Sequence, residues 1–222
     1  MKLINSWRFA INCMKLSYNL KMNVICMGFL FIMALVYEVF YVADGLGAFL
    51  LLIIAMYPAQ LTCSVCGSQL VLSSPYRRFM MTSLPAILTL CSQMAVYLAV
   101  ICAEAVRAYV APETAGRGSR IILLCGVMLI LLDMYVGLAY KYFVLSWIML
   151  AVSLIGFYYL SGMIGRDTAL SQNLLNIPMP ISAILGLCFA LAGSALQYGI
   201  SRLVYKKPMS RFAIFGLLRQ QA

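Results

Sequence analysis

Apolar residues run in long unbroken stretches along most of this chain, separated by short basic or polar turns. A helix that crosses the hydrocarbon core of a bilayer takes about 20 predominantly apolar residues. Six stretches reach that length: 22–43, 46–70, 84–108, 120–140, 142–161 and 181–204. The runs are continuous, whereas a membrane barrel alternates apolar and polar positions in shorter segments. The pattern therefore predicts an all-α membrane protein with six transmembrane helices. Pro58 falls inside the long second stretch. It predicts a kink, a tilt or an extension beyond the bilayer there.

The flanks read differently. In residues 1–21, Leu3, Trp7, Ile11, Met14 and Tyr18 recur at helical spacing, while Asn5, Arg8, Asn12, Lys15 and Asn19 fall largely on another face. This predicts a short amphipathic helix lying in the membrane interface, ahead of a six-helix domain over 22–204. Lys2, Arg8, Lys15 and Lys21 interrupt the apolar character here, so no cleavable secretion signal is expected. Residues 205–222 form a basic tail opened by Lys206, Lys207 and Pro208. Phe212, Phe215 and Leu218 give it an apolar patch, and no chemistry is assigned to it.

Composition sharpens the class. Hydrophobic residues make up 64% of the 222, and charged residues 10%. Average soluble domains hold roughly 45–50% apolar and about 25% charged residues. A mean hydropathy of +0.98 exceeds what a soluble fold of this size can hide. The formal net charge is +10, and its distribution matters more than its size. With the amino terminus inside, Lys2, Arg8, Lys15, Lys21, Arg77, Arg78, Lys141, Arg202, Lys206, Lys207, Arg211 and Arg219 fall on the inner side. Arg107, Arg117, Arg120 and Arg166 fall on the outer side, together with Asp44, Glu104, Glu113 and Asp167. That asymmetry follows the positive-inside rule and places both termini in the cytoplasm. The basic residues thus read as a topology signal. No soluble domain carries them toward a nucleic acid, so no nucleic-acid partner is expected.

The stretch LVLSSPYRRFMMTSLPAIL, residues 70–88, becomes the cytoplasmic turn between the second and third spans. Pro75 and Pro85 bound it, and Ser73 and Ser74 are suitable cap residues. Two readings stand: a short surface helix that offers Arg77 and Arg78 to a partner, or a basic turn that only anchors topology.

Histidine is absent, which removes His-based triads and His-liganded zinc or haem. No Walker-type phosphate loop occurs; Gly116-Arg117-Gly118-Ser119 matches one only in composition. Cys63-Ser-Val-Cys66 has no second pair at zinc spacing. The eight cysteines read as small reduced packing residues. No catalytic set and no metal site emerge.

Polar residues within apolar spans carry the remaining information. Asp133 lies deepest, roughly 20 Å from Arg120 and about 12 Å from Lys141 along a helix. It is expected to face protein, either pairing with a basic residue such as Arg202 or lining a pathway. Glu38 and Glu104 sit nearer the outer ends. Both read chiefly as rim charges in water, with Glu104 and Arg107 forming a helix-surface pair. Small residues repeat every four positions at Cys91, Ala95, Ala99 and Ala103, and again at Ser182, Gly186, Ala190 and Ser194. Such ridges let membrane helices approach closely, inside one bundle or at a dimer seam. Residues 162–180 form a long outer connection. It reads as a re-entrant hairpin or as an ordinary loop.

Taken together, these features resemble the permease subunits of ATP-binding-cassette transporters of the type-2 exporter class. The amphipathic leader, the SSPYRRFMMTSLP turn and the segment before the sixth span fall where that class has its interfacial helix, coupling helix and re-entrant segment. The resemblance is architectural and spans the whole chain. It implies an exporter of an amphipathic, peptide-like or lipidic substrate in a bacterial plasma membrane. It implies no cofactor on this chain, with ATP and Mg on separate ATPase subunits. A second permease subunit, identical or related, would complete the pathway. Tyr76, Arg77, Arg78 and Phe79 would contact the ATPase. The alternatives are the substrate-binding membrane component of a vitamin or metal importer, and a membrane partner protein with no pathway.

Overall fold

A computed structural model describes residues 20–40, 45–66, 71, 73–139, 141–165 and 177–204, together with residues 11, 12, 15 and 206. The expected interfacial helix over 3–18 lies outside the described residues, apart from helical Ile11, Asn12 and Lys15. So do nearly all of the tail and residues 166–176 of the outer connection.

Every regular element among the described residues is helical. Helix α1 is Leu20–Phe40, α2 Leu46–Ala55, α3 Tyr57–Cys66, α4 Arg77–Met81 and α5 Ser83–Val110. A 3₁₀ turn at Pro112–Thr114 leads into α6, Ala115–Leu138; α7 is Phe143–Gly165 and α8 Met179–Val204. Five of these, α1, α5, α6, α7 and α8, are long and apolar enough to cross a membrane. The chain is thus an all-helical integral membrane protein. At 1.5 Å per residue they measure ~31 to ~42 Å, against about 30 Å of hydrocarbon. The longest, α5, must tilt or protrude.

The second expected span, 46–70, is not one continuous helix. It breaks at Met56 into two ten-residue helices. Pro58 explains the break. Its ring nitrogen cannot donate to the Ile54 carbonyl one turn earlier, and the ring crowds that carbonyl. Inside a bilayer, a broken helix needs another donor for its freed backbone groups. Ser92 of α5 provides one, its Oγ donating to Ala55 O at 2.5 Å. Tyr57, at the break, donates to Asn23 Oδ1 of α1 at 2.9 Å.

Helix α6 is the centre of the bundle. It is apolar around most of its circumference and packs against α2, α5, α7 and α8, as a helix enclosed by others must. Ile121, Ile122, Cys125, Leu129 and Leu132 are fully or almost fully buried on it. Its tightest pairing is with α8. A Cβ placed on Gly126 would stand 2.5 Å from the Gly186 Cα, so the two backbones touch. The ridge Ser182, Gly186, Ala190 and Ser194 is therefore buried within a single chain and is not a seam between subunits. On the other small-residue ridge, Cys91 and Ala95 are exposed on α5, while Ala103 is buried.

Helix α1 packs on α2 through Gly47, whose Cβ would meet the Ala34 carbonyl at 2.6 Å. Gly45 starts α2 in the left-handed region, at φ +64°, where a side chain would be strained. Most of the outer surface of α1 and α7 is exposed and apolar, including Phe29, Ile32, Val152 and Ile155. In a membrane protein that surface is the lipid face.

Candidate functional site

Antiparallel neighbours bring polar residues together in layers along the bundle. The first layer closes one end. Arg107, near the end of α5, donates from Nη1 to Glu104 Oε1 at 3.0 Å and to Glu38 Oε1 of α1 at 3.2 Å. Glu38 Oε2 accepts from the Ala48 backbone N–H at 2.6 Å, at the start of α2. The carboxylate thereby satisfies one of the amide groups that a helix start leaves without an intrahelical partner. Arg117 of α6 adds Coulomb attraction on Glu104. Gly118 leaves room for Glu104, because a Cβ there would come within 2.8 Å of Oε2.

The pairing of Glu104 with Arg107 has the expected spacing, but its setting differs. Glu38, Glu104 and Arg107 are buried, at 1%, 1% and 5% exposure. The expectation of rim charges in water is overturned. Sequence spacing places two of these residues on one helix face. Only the packing of α1 and α2 over that face removes the water.

The second layer adjoins the first, since Ser119 follows Gly118 on α6. Ser119 Oγ of α6 and Ser182 Oγ of α8 share a hydrogen bond of 2.6 Å. Ser119 also donates to the Ile177 carbonyl, where the chain enters α8. This places Gly116–Ser119 inside helix α6, so it is no phosphate loop. The Tyr97 hydroxyl sits among the carbonyls of Ile122, Ser182 and Ala183, at 3.3, 3.4 and 3.4 Å. Gly186 makes that position possible, since any Cβ on it would collide with the phenol.

The third layer is deepest in the bundle. Gln93 of α5 donates from Nε2 to Asp133 Oδ1 of α6 at 2.7 Å. Gln197 of α8 donates from Nε2 to Thr89 Oγ1 at 3.2 Å, and Thr89 donates to the Pro85 carbonyl at 2.7 Å. Asp133, Gln93, Gln197 and Thr89 are fully buried, and Ser194 nearly so. The expectation that Asp133 faces protein holds. Its hydrogen-bond donor, however, is an amide and not Arg202.

The opposite end of the bundle carries the basic turn. Ser74 to Met81 fold into a turn and the five-residue helix α4. Met80 is buried in a small apolar cluster with Val65, Val71, Leu84 and Leu88, and Phe79 packs against it. Tyr76 and Arg78 are exposed, and Arg77 is half-buried. Lys141, between α6 and α7, is drawn into the same region. Burial and the neighbouring Arg77 guanidinium hold it below the ordinary lysine pKa.

Sequence reasoning singled out Asp133, Glu38 and Glu104 but missed Gln93, Gln197, Thr89 and Tyr97. A signal existed. Thr89, Gln93 and Tyr97 follow one another at four-residue spacing along an otherwise apolar span, as do Gly193 and Gln197. Uncharged polar groups are cheaper in a membrane than an acid, so they stand out less. Among the described residues no group of three or more His, Cys, Asp or Glu could hold a metal ion.

Fold and layers together define a polytopic helical membrane protein with a polar interior and a basic turn at one end. No family model matches the chain, nor does any curated protein or solved structure.

Proposed function

We propose that this chain is the permease subunit of an ATP-driven exporter of the type-2 class, worked by separate ATPase subunits. The observation that carries the reading is α4. A five-residue helix is stable only where tertiary packing holds it, and this one is pinned by Met80 and Phe79 while Tyr76 and Arg78 stay exposed. Anchored below and displayed above, it suits a lever: a push on Tyr76 or Arg78 reaches α5 directly through Leu84 and Leu88. Two arginines flanked by aromatics also fit a protein contact, where both residue types concentrate binding energy.

In this reading the Arg77 end faces the cytoplasm, following the segregation of basic residues. The broken pair α2–α3 serves as the sixth crossing. A second permease subunit would meet α5 along Cys91 and Ala95, and the cargo is amphipathic, peptide-like or lipidic.

Two measurements test it. Purified from its native membrane, the tagged chain should bring down an ATP-binding-cassette ATPase, and Arg77→Glu with Arg78→Glu should cut that recovery at least about tenfold, as loss of a charged anchor does. An ATPase that stays fully bound, or none at all with the unaltered chain, refutes the reading. In whole cells, a cysteine at Tyr109 should react with an impermeant thiol reagent and one at Tyr76 should not, in a background lacking the native cysteines. The reverse pattern refutes the orientation.

A further inference from the structure

We propose that the deepest polar layer binds one monovalent cation, with Asp133 as its counter-charge. This goes beyond the permease reading and does not depend on an ATPase.

As arranged, the layer leaves four buried polar atoms without a partner among the described residues. Asp133 Oδ1 accepts from Gln93, but Oδ2 has no hydrogen-bond partner among the described residues. Gln93 Oε1, Gln197 Oε1 and Ser194 Oγ are likewise buried without one. Three of these are acceptors, one of them a carboxylate oxygen, and none is paired although each amide Nε2 keeps a second N–H. Both amides spend an N–H inward, Gln93 on the carboxylate and Gln197 on Thr89, whose own proton goes to Pro85. Nine-tenths or more of each of these residues is buried.

The groups belong to one place. Thr89 and Gln93 are one turn apart on α5, and Gly193 and Gln197 are one turn apart on α8. Asp133 bridges the two helices. A Cβ on Gly193 would collide with Asp133 Oδ2, so glycine lets that oxygen pack against the α8 backbone.

No second charge answers Asp133 from the helices around it. Helix α7 contains no charged residue, and neither does α2. On α5 the nearest is Glu104, ~16 Å along the helix from Gln93; on α6 Arg120 is ~20 Å from Asp133, and Lys141, just past α6, is ~12 Å away along it. Arg202 lies ~7.5 Å beyond Gln197 along α8. The other titratable groups on these helices are Cys91, Tyr97, Cys102 and Tyr109 on α5, Cys125 and Tyr135 on α6, Tyr158 and Tyr159 on α7, and Cys188 and Tyr198 on α8.

An isolated ionised carboxylate is very costly in such surroundings, and buried charges are neutralised or paired. One carboxylate with neutral oxygens makes an uncharged site with a monovalent ion and a charged one with a divalent ion. Carboxylate, amide and hydroxyl oxygens are hard ligands suited to sodium. The same oxygens would also hold a proton. Both sources supply the missing positive charge.

The test separates them. Thermal unfolding of the purified chain in lipid nanodiscs is followed from about pH 5 to about pH 9, in sodium, potassium or choline chloride at equal ionic strength. The expected result is a midpoint raised by about 3 °C or more by one cation in the unaltered chain and not in Asp133→Asn. A rise with sodium over choline identifies sodium. A rise with acidity alone, equal in all three salts, identifies the proton. An unaltered chain that responds to neither, or Asp133→Asn with the same response, overturns the proposal. Should Asp133→Asn fail to fold, Gln197→Met decides. It removes one acceptor and should move the half-saturating cation concentration about tenfold; an unmoved value overturns the site.

Discussion

Replacing Arg107 with methionine should destabilise the protein by about 3–5 kcal/mol, the cost typical of removing one partner from a buried charge cluster. The reason lies in what remains. Glu38 and Glu104 would stay buried on α1 and α5 without the guanidinium that both contact. Arg117 would be the remaining positive charge acting on Glu104, beside Glu38, and Glu38 at the α1–α2 junction would lose its guanidinium partner. Unfolding in detergent, followed by intrinsic fluorescence, should show the loss. The decisive comparison is the triple variant Arg107→Met, Glu38→Gln, Glu104→Gln. A buried cluster replaced as a whole is often close to neutral, so the triple variant should regain most of the stability that the single one loses. A single variant as stable as the parent would mean that water reaches this layer. A triple variant as unstable as the single would mean that the guanidinium acts through packing and not through charge.

The second large effect is expected at the α6–α8 contact. Gly126→Leu and Gly186→Leu should each cost about 3 kcal/mol or more, at the upper end of overpacking substitutions. The figure rests on what the new atoms would meet. At Gly126 the obstacle is the backbone of Gly186, which cannot rotate aside. At Gly186 it is the Tyr97 phenol, which cannot leave without abandoning three carbonyls. Because α6 is the central helix, separating it from α8 would also open the polar layers. Gly28 and Gly156 provide the controls. A Cβ at either meets nothing within 4 Å, so alanine there should be neutral or stabilising by up to about 1 kcal/mol through helix propensity. If leucine at Gly126 and alanine at Gly156 shift the unfolding midpoint equally, the close contact is not what holds these helices together.

Much of this architecture could be read from the chain. The continuous apolar runs located α1, α5, α6, α7 and α8 to within a few residues, because length and hydropathy alone decide whether a helix can cross a bilayer. Pro58 announced a disruption, since a missing N–H is a local property. It could not announce that the helix would break in two and that Ser92, 37 residues on, would take up the Ala55 carbonyl. That depends on a neighbour, and neighbours are not written in spacing. The helical turn around Arg77 was legible from its bounding prolines. Its attachment through Met80, with Tyr76 left outside, was not.

Glu38 shows the division best. Its position near the end of a span is a fact of sequence, and so is its negative charge. Whether it meets water or Arg107 is decided by how α1 and α2 fold back over α5. The same holds for the ridge of Ser182, Gly186, Ala190 and Ser194, whose small size the sequence states and whose burial against α6 only the packed bundle assigns. Hydropathy, length and proline act along the chain, so the sequence by itself determined an all-helical membrane protein with a basic turn between apolar helices. Electrostatic partnership and close approach act across it, and the tertiary structure alone decided which buried polar groups found partners and which, beside Asp133, did not.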